Sequence, residues 1–277
     1  MTDAGKSPDH FLEVAIACAR EAGEVISAAM DRPKNISYKG EVDLVTETDR
    51  KSEAAILERL RREFPEHAII AEEGGASGPG ASAEYQWQVD PLDGTTNFAH
   101  GYPVFAVSLG LLERGEPVIG AIYNPVTREM FTAMRGRGAF RNGSPIHVSA
   151  VDKLSRSLLA TGFPSHKRVQ NPNINYYWEF TLRSHGVRRA GAAALDLCSV
   201  ACGQFEGFWE FGLKSWDTAA GILLVREAGG KVTNFSGEPY RPGDLECLAS
   251  NGLVHTEMQR VAVTIRDGSK PQIAGKS

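Results

Sequence analysis

One stretch constrains this chain more than any other: Trp87-Gln88-Val89-Asp90-Pro91-Leu92-Asp93-Gly94-Thr95-Thr96-Asn97-Phe98. An apolar run ends on two carboxylates and passes at once into a glycine and two hydroxyls. The pattern predicts a strand feeding an acidic turn that opens a helix. Pro91 falls at the strand end, where its missing N–H costs nothing, and it stiffens the backbone so that Asp90 and Asp93 face one point. Such a point suits a hard cation. Gly94 permits close backbone approach, and the N–H groups from Gly94 to Thr96, at a helix N-terminus, favour an anion such as phosphate.

Two plainer readings compete. An Asp-Gly-Thr-Thr turn capping a helix accounts for Asp93 through Thr96 by structure alone, yet leaves Asp90 without a reason. Aspartyl-phosphate phosphatases carry a nucleophilic Asp two residues before the second carboxylate. Pro91 occupies that place here, so covalent aspartyl catalysis lacks its nucleophile.

The 277 residues, 42% hydrophobic, suffice for one large domain or two intimately packed subdomains. Thirty basic against 34 acidic residues leave a net charge of −4 without a polybasic run, which argues against nucleic acid or an anionic membrane as the main ligand. No run reaches the ~18 to 20 apolar residues of a membrane span, and the first residues show no signal-peptide pattern, so the expected location is cytoplasmic. Cys18, Cys198, Cys202 and Cys247 lie in apolar surroundings and read as small core side chains. The seven histidines are scattered singly, so a Cys/His metal site is not expected.

Along the chain, residues 1 to 8 read as a loose tail ending in a Ser7 cap and a first-turn Pro8, and Leu12, Ala15, Ile16, Ala19, Ile26 and Met30 predict a helix over about residues 9 to 30. The polar stretch from Lys39 to Asp49 predicts a hairpin leading into a second helix that ends near Glu63, capped by Thr46 or Thr48, with Asp49 stabilising its first turn. A buried strand, His67 to Ala71, ends in Glu72-Glu73, and residues 74 to 82 read as a mobile loop. Residues 104 to 140 predict an antiparallel meander, with a further turn at Asn142-Gly143. Beyond residue 150 come a strand at Ser157 to Thr161 and helices over about Pro172 to Ser184 and Ala192 to Cys202. In the stretch from Gly207 to Gly230, Ser215 or Asp217 could cap a helix, and Glu210, between aromatics, could be a solvated rim carboxylate.

Together these pieces resemble the inositol monophosphatase family of lithium-sensitive, magnesium-dependent phosphatases. The likeness runs through Asp43-Leu44-Val45-Thr46-Glu47-Thr48-Asp49, Ala71-Glu72-Glu73, Asp90 to Phe98, Gly191-Ala192-Ala193-Ala194-Leu195-Asp196, Trp216-Asp217 and Glu227-Ala228-Gly229-Gly230. Thr161-Gly162-Phe163-Pro164 and Arg188-Arg189-Ala190-Gly191 look like its bacterial branch. The resemblance implies a mixed α and β fold, a layered αβαβα sandwich, with approximate subdomains 9–150 and 151–267 and a flexible tail at 268–277. It implies two tightly held Mg²⁺ and a third, weaker one. Glu72, Asp90 and the Leu92 carbonyl would hold the first, Asp90, Asp93 and Asp217 the second, and Glu72 would reach the third. Glu72, Asp49 and Thr95 would be catalytic, the last two orienting the attacking water. Asp93, Gly94, Thr95, Gly191, Ala192, Ala193, Glu210 and Asp217 would bind substrate. The substrate so implied is a small phosphomonoester, myo-inositol 1-phosphate first. A sugar phosphate, histidinol phosphate and the 2′-phosphate of NADP are alternatives, as is a partner-binding regulatory protein that keeps the fold. A homodimer is also implied, with Phe163, Tyr176, Tyr177 and Trp178 as interface or core. Relatives carry a lysine in the hairpin before Asp-Leu-Val-Thr; Lys39 is the nearest here, with a spacing one residue shorter.

Overall fold

Ser7 caps the first helix, α1 (Pro8–Ala29), its hydroxyl accepting from His10 N at 3.3 Å, with Pro8 in the first turn. Its stripe of Phe11, Val14, Ala15, Cys18, Ala22 and Ile26 is buried, as the spacing predicts. The structure is a computed structural model that describes residues 7–30, 36–38, 44–79, 83–163 and 171–268. Lys39, residues 1–6, 80–82 and 164–170, and the predicted tail from residue 269 lie outside the described residues.

Two short strands, β1 (Ile36–Tyr38) and β2 (Leu44–Thr46), pair antiparallel, and β2 runs straight into α2 (Glu47–Glu63). There follow β3 (Ala68–Ala71), β4 (Gly75–Ser77), β5 (Tyr85–Asp93), α3 (Thr95–Ala99), β6 (Ala106–Glu113), β7 (Glu116–Asn124), β8 (Glu129–Met134), β9 (Ala139–Arg141) and β10 (Ser144–Ile146). They make an eight-stranded sheet in the order β10-β9-β8-β7-β6-β5-β3-β4, in which only the β3–β5 pair is parallel. The meander is as predicted. The loop expected at 74 to 82 is in part strand: β4 pairs with β3 at the sheet edge, where the backbone ladder and a bond from Arg61 to the Ser77 hydroxyl hold small residues of low strand propensity.

The second half supplies β11 (Leu158–Thr161), α4 (Asn173–Arg183), β12 (Gly186–Arg188), α5 (Ala193–Ala201), β13 (Gly207–Phe211), α6 (Ser215–Glu227), β14 (Lys231–Thr233), β15 (Glu246–Ser250) and α7 (His255–Arg266). Its five-stranded sheet has the order β12-β11-β13-β15-β14, parallel from β12 to β13 and antiparallel beyond. Helices α1 and α2 cover one face of the large sheet, α5 and α6 lie between the sheets, and α4 and α7 pack outside the small one. This is the expected αβαβα layering. Three apolar clusters fill the layers: one under α1 and α2, one around α5 and α6, one beneath α4 and α7. Tyr176 belongs to the last, against Phe211 and Phe235, whereas Trp178 is 63% exposed and, with Ile174 and Leu182, forms an outward apolar stripe on α4. All four cysteines are free, three of them fully buried.

Candidate active site

β5 presents Asp90 and Asp93 through an irregularity, because its register against β6 shifts between the two. The strand does not end at Asp90 but continues to Asp93, and Pro91, lacking an N–H, sits where the ladder is already interrupted. The Ser52 hydroxyl on α2 donates to the Pro91 carbonyl at 2.8 Å, and Leu92 N donates to Asp90 Oδ1 at 3.0 Å. Gly94, at φ 89°, starts α3, and a Cβ there would stand 2.9 Å from the Val104 carbonyl. No side chain caps α3, so the first N–H groups of this helix have no acceptor within it.

Asp49 is fully buried and does two things at once. Its Oδ2 accepts from Thr46 N at 2.9 Å and from the Thr46 hydroxyl, closing a reciprocal cap on α2, while Oδ1 accepts from Thr95 Oγ1 at 2.9 Å. Cap and pairing with Thr95 are one arrangement, each using one oxygen. Thr95 Oγ1 also stands 3.0 Å from the Leu92 carbonyl. With acceptors on both sides of its single proton, the hydroxyl keeps lone pairs for a donor such as water.

Asp217 is the third residue of α6, and its Oδ2 accepts from Lys214 N at 2.7 Å, so it does close the helix start. Lys214 rather than Ser215 is the N-cap. Two glycines bring α6 down on the large sheet: a Cβ at Gly110 would lie 2.6 Å from Ala219 Cβ, and one at Gly120 would lie 2.9 Å from the Ala220 carbonyl. That close approach carries Asp217 to β5.

Burial, then the charges of Glu72, Asp93 and Asp217, pushes the Asp90 carboxyl well above the usual carboxylate range. Burial and the Asp217 charge push Asp93 up to about 8, opposed by the Ala194 N–H that donates to it at 2.8 Å. Asp217 rises to about 6 through burial, restrained by Lys214 N. Glu72 follows β3, its N–H donating to the Val89 carbonyl at 3.1 Å. Among the described residues no three His, Cys, Asp or Glu side chains stand close enough to clasp an ion as placed. Asp217 and Asp90 share a side-chain hydrogen bond, and Asp90, Asp93 and Asp217 each tie one oxygen to a backbone N–H. An oxygen-only set, buried at Asp90 and half-buried at Glu72, Asp93 and Asp217, in which Asp90 and Asp93 are raised by their acidic neighbours, fits a small hard cation such as Mg²⁺.

The opposite wall comes from distant segments. Asn97 Nδ2 donates to the carbonyls of Val104 at 2.7 Å and Ala190 at 2.8 Å, fastening the Gly191 turn, with Gly191 at φ 86°, to the Asp93-Gly94 turn. Ala192 is the N-cap of α5 and Ala193 its first residue, so the α5 start that bonds Asp93 is also the predicted alcohol side. Glu210 is only 8% exposed, not a solvated rim carboxylate. It lies directly on Gly162, where an added Cβ would collide with the carboxylate. Burial, then Asp196, Asp217 and Asp93, holds it well above the ordinary range. Arg189, 6.0 Å from the Phe163 ring centroid, pulls Asp196 and Glu210 the other way.

Sequence reasoning gave no role to Ser52, Gln88, Asn97 or Asp196. Asp196 Oδ2 is buried without a hydrogen-bond partner, which it shares with Arg183 Nε alone among the described residues. The available signal was a lone polar side chain in an otherwise apolar segment: Asp196 in an alanine-rich helix, Gln88 between Trp87 and Val89.

Residues 7–268 match the inositol monophosphatase family. "Phosphatase IMPL1, chloroplastic" of Arabidopsis thaliana is 49% identical over 264 residues, covering 92% of this chain and 71% of the relative. The "Inositol-1-monophosphatase" of Synechocystis is 46% identical over 92% of this chain and 89% of its own, and the "Nus factor SuhB" of Pseudomonas aeruginosa is 47% identical over 82% and 86%. The solved inositol monophosphatase of Anabaena superposes with a TM-score of 0.84 at 42% identity, covering 96% of this chain and 99% of that one. By the family match over residues 7–268 and by these relatives, the chain belongs to the inositol monophosphatase family of phosphatases.

Proposed function

We propose that the protein is a Mg²⁺-dependent phosphomonoesterase that hydrolyses myo-inositol 1-phosphate by direct attack of water. The observation that carries this reading is the double use of Asp49, which caps α2 through one oxygen and accepts the Thr95 hydroxyl through the other. Asp90, Asp93, Asp217, Glu72 and the Leu92 carbonyl would hold Mg²⁺. When bound, the ions supply positive charge to the phosphate oxygens and the leaving alkoxide and lower the pKa of water. The start of α3 from Gly94 receives the phosphate oxygens on backbone N–H groups. Thr95 accepts from the attacking water while its own proton is held by Asp49, which aims the water lone pair along the line opposite the leaving group. Gly191, Ala192, Ala193 and Glu210 line the alcohol side, Glu210 meeting hydroxyl groups of the ring.

Four of the similar proteins are named as Nus factors or putative Nus factors, and a binding function is the second reading for this chain. Buried carboxylates that raise one another's pKa cost stability, so a protein retaining them only for docking would be poorly served. The test is a panel of small phosphomonoesters with Mg²⁺ and with EDTA. Fastest turnover on myo-inositol 1-phosphate, abolished by EDTA and restored by Mg²⁺, supports the reading. A rate indifferent to EDTA contradicts it.

A further inference from the structure

Asp90 and Asp217 stand on elements far apart in sequence, so something must fix α6 along its own axis as well as against the sheet. Contacts of Gly110 and Gly120 with Ala219 and Ala220 set how close the helix lies, but small smooth surfaces resist sliding weakly. Two part-buried polar bonds sit where a stop is needed. Ser215, the first residue of α6, donates its hydroxyl to Gln88 Oε1 at 2.5 Å, and Ser108 Oγ on β6 approaches the Trp216 carbonyl at 3.4 Å. Gln88 is fully buried, and its own amide donates to Gln86 Oε1 at 2.8 Å. By strand alternation Gln86, Gln88 and Asp90 share one face of β5, with Trp87 and Val89 on the other. Gln88 thus precedes Asp90 by one strand repeat, and Ser215 precedes Asp217 by two residues.

We infer that Gln88 is a positioning residue: through Ser215 it fixes the start of α6 so that Asp217 stands opposite Asp90 and Asp93. This rests on the reading that these carboxylates share a cation. The bland alternative is that the bond merely satisfies a buried amide and a half-buried hydroxyl, with no bearing on the site. The two differ in what they protect, carboxylate spacing in one case and general stability in the other.

The test uses the full chain and Mn²⁺ alone as the probe, its binding followed by loss of the free-ion EPR signal, with melting in EDTA as a second readout. Gln88→Met keeps the volume and removes the acceptor; Ser215→Ala removes the donor; Ser215→Thr keeps a hydroxyl. The expected result is about a tenfold weaker Mn²⁺ affinity for each of Gln88→Met and Ser215→Ala, the usual cost of losing a group that orients a metal ligand. The double variant should be no weaker than the worse single one, because one bond is broken in every case. Ser215→Thr should bind as the parent does, and melting temperatures in EDTA should not track affinity. Parent-like affinity in both single variants overturns the inference while leaving the proposed function standing. Affinity losses that simply follow melting temperature also overturn it. A parent protein that binds no Mn²⁺ overturns both.

Discussion

The two walls of the site are built differently. The wall proposed to take the phosphate is nearly continuous in sequence: Asp90, Leu92, Asp93, Gly94 and Thr95 share one strand-to-helix passage, with Asp49 and Ser52 arriving from α2. The wall proposed for the alcohol side is assembled from separate elements: Asn97 and the start of α5 tie Gly191 to Ala193 to the Asp93-Gly94 turn, and the pairing of β11 with β13 sets Glu210 on Gly162. A local wall is fixed by backbone bonds made within one turn. An assembled wall depends on long-range packing and can change its lining without disturbing the other.

The largest effect should come from the local wall. Asp90→Asn keeps the shape but removes a charge that Glu72, Asp93 and Asp217 all face, so turnover at saturating Mg²⁺ should fall by more than about 10⁴-fold, beyond what a positioned acid–base group supplies. Relief of repulsion should meanwhile raise the melting temperature in EDTA. Steady-state kinetics and melting on the same preparation decide it, and near-normal turnover would remove Asp90 from the metal set.

A smaller and more selective effect is expected across the pocket. Glu210→Gln should raise KM for myo-inositol 1-phosphate by roughly tenfold, the worth of one charged hydrogen bond, and leave an aryl phosphate without ring hydroxyls unchanged. Equal losses on both substrates would mean that the walls are not separable.

A third region, remote from both, serves as the control. His255 is buried between Ser250 Oγ at 2.8 Å and Thr233 Oγ1 at 2.9 Å. Burial, then the Lys231 charge, lowers its pKa from 6.5 to about 4. A histidine depressed in the folded state stabilises fully above its unfolded pKa. That stability is lost as pH falls from 6.5 toward 4, by about 3 kcal/mol at most. His255→Gln should flatten this part of the stability profile relative to the parent and leave kcat of folded protein unchanged. Denaturant unfolding at pH 4 and pH 7 measures it; parallel profiles would contradict the assignment.

The same contrast explains what was legible in the sequence. The α1 stripe, the Thr46 cap, the meander and the acidic passage from Asp90 to Thr95 could be read because each depends on residues within one or two turns of one another. β12, β14 and β15 and the seating of Glu210 on Gly162 could not, since each is settled by a partner far along the chain. Glu210 between aromatics fits a rim or a core equally well until β13 is placed. Gln88 announced itself as a polar side chain in an apolar strand, but its partner Ser215 could only be found in space.

The central claim is that Asp49 serves a helix and a water molecule through different oxygens. Thr95→Ala, Asp49→Asn and the double variant, each measured for kcat at saturating Mg²⁺ and for melting temperature, test it most directly. The expected result is a kcat loss of about 10² to 10⁴ in each single variant, with the double hardly slower than the worse single, since both act on one water. Only the variants lacking Asp49 should also lose the cap, at a cost of about 1 kcal/mol. Nearly normal kcat in folded Asp49→Asn, or rate losses that multiply in the double variant, would contradict it.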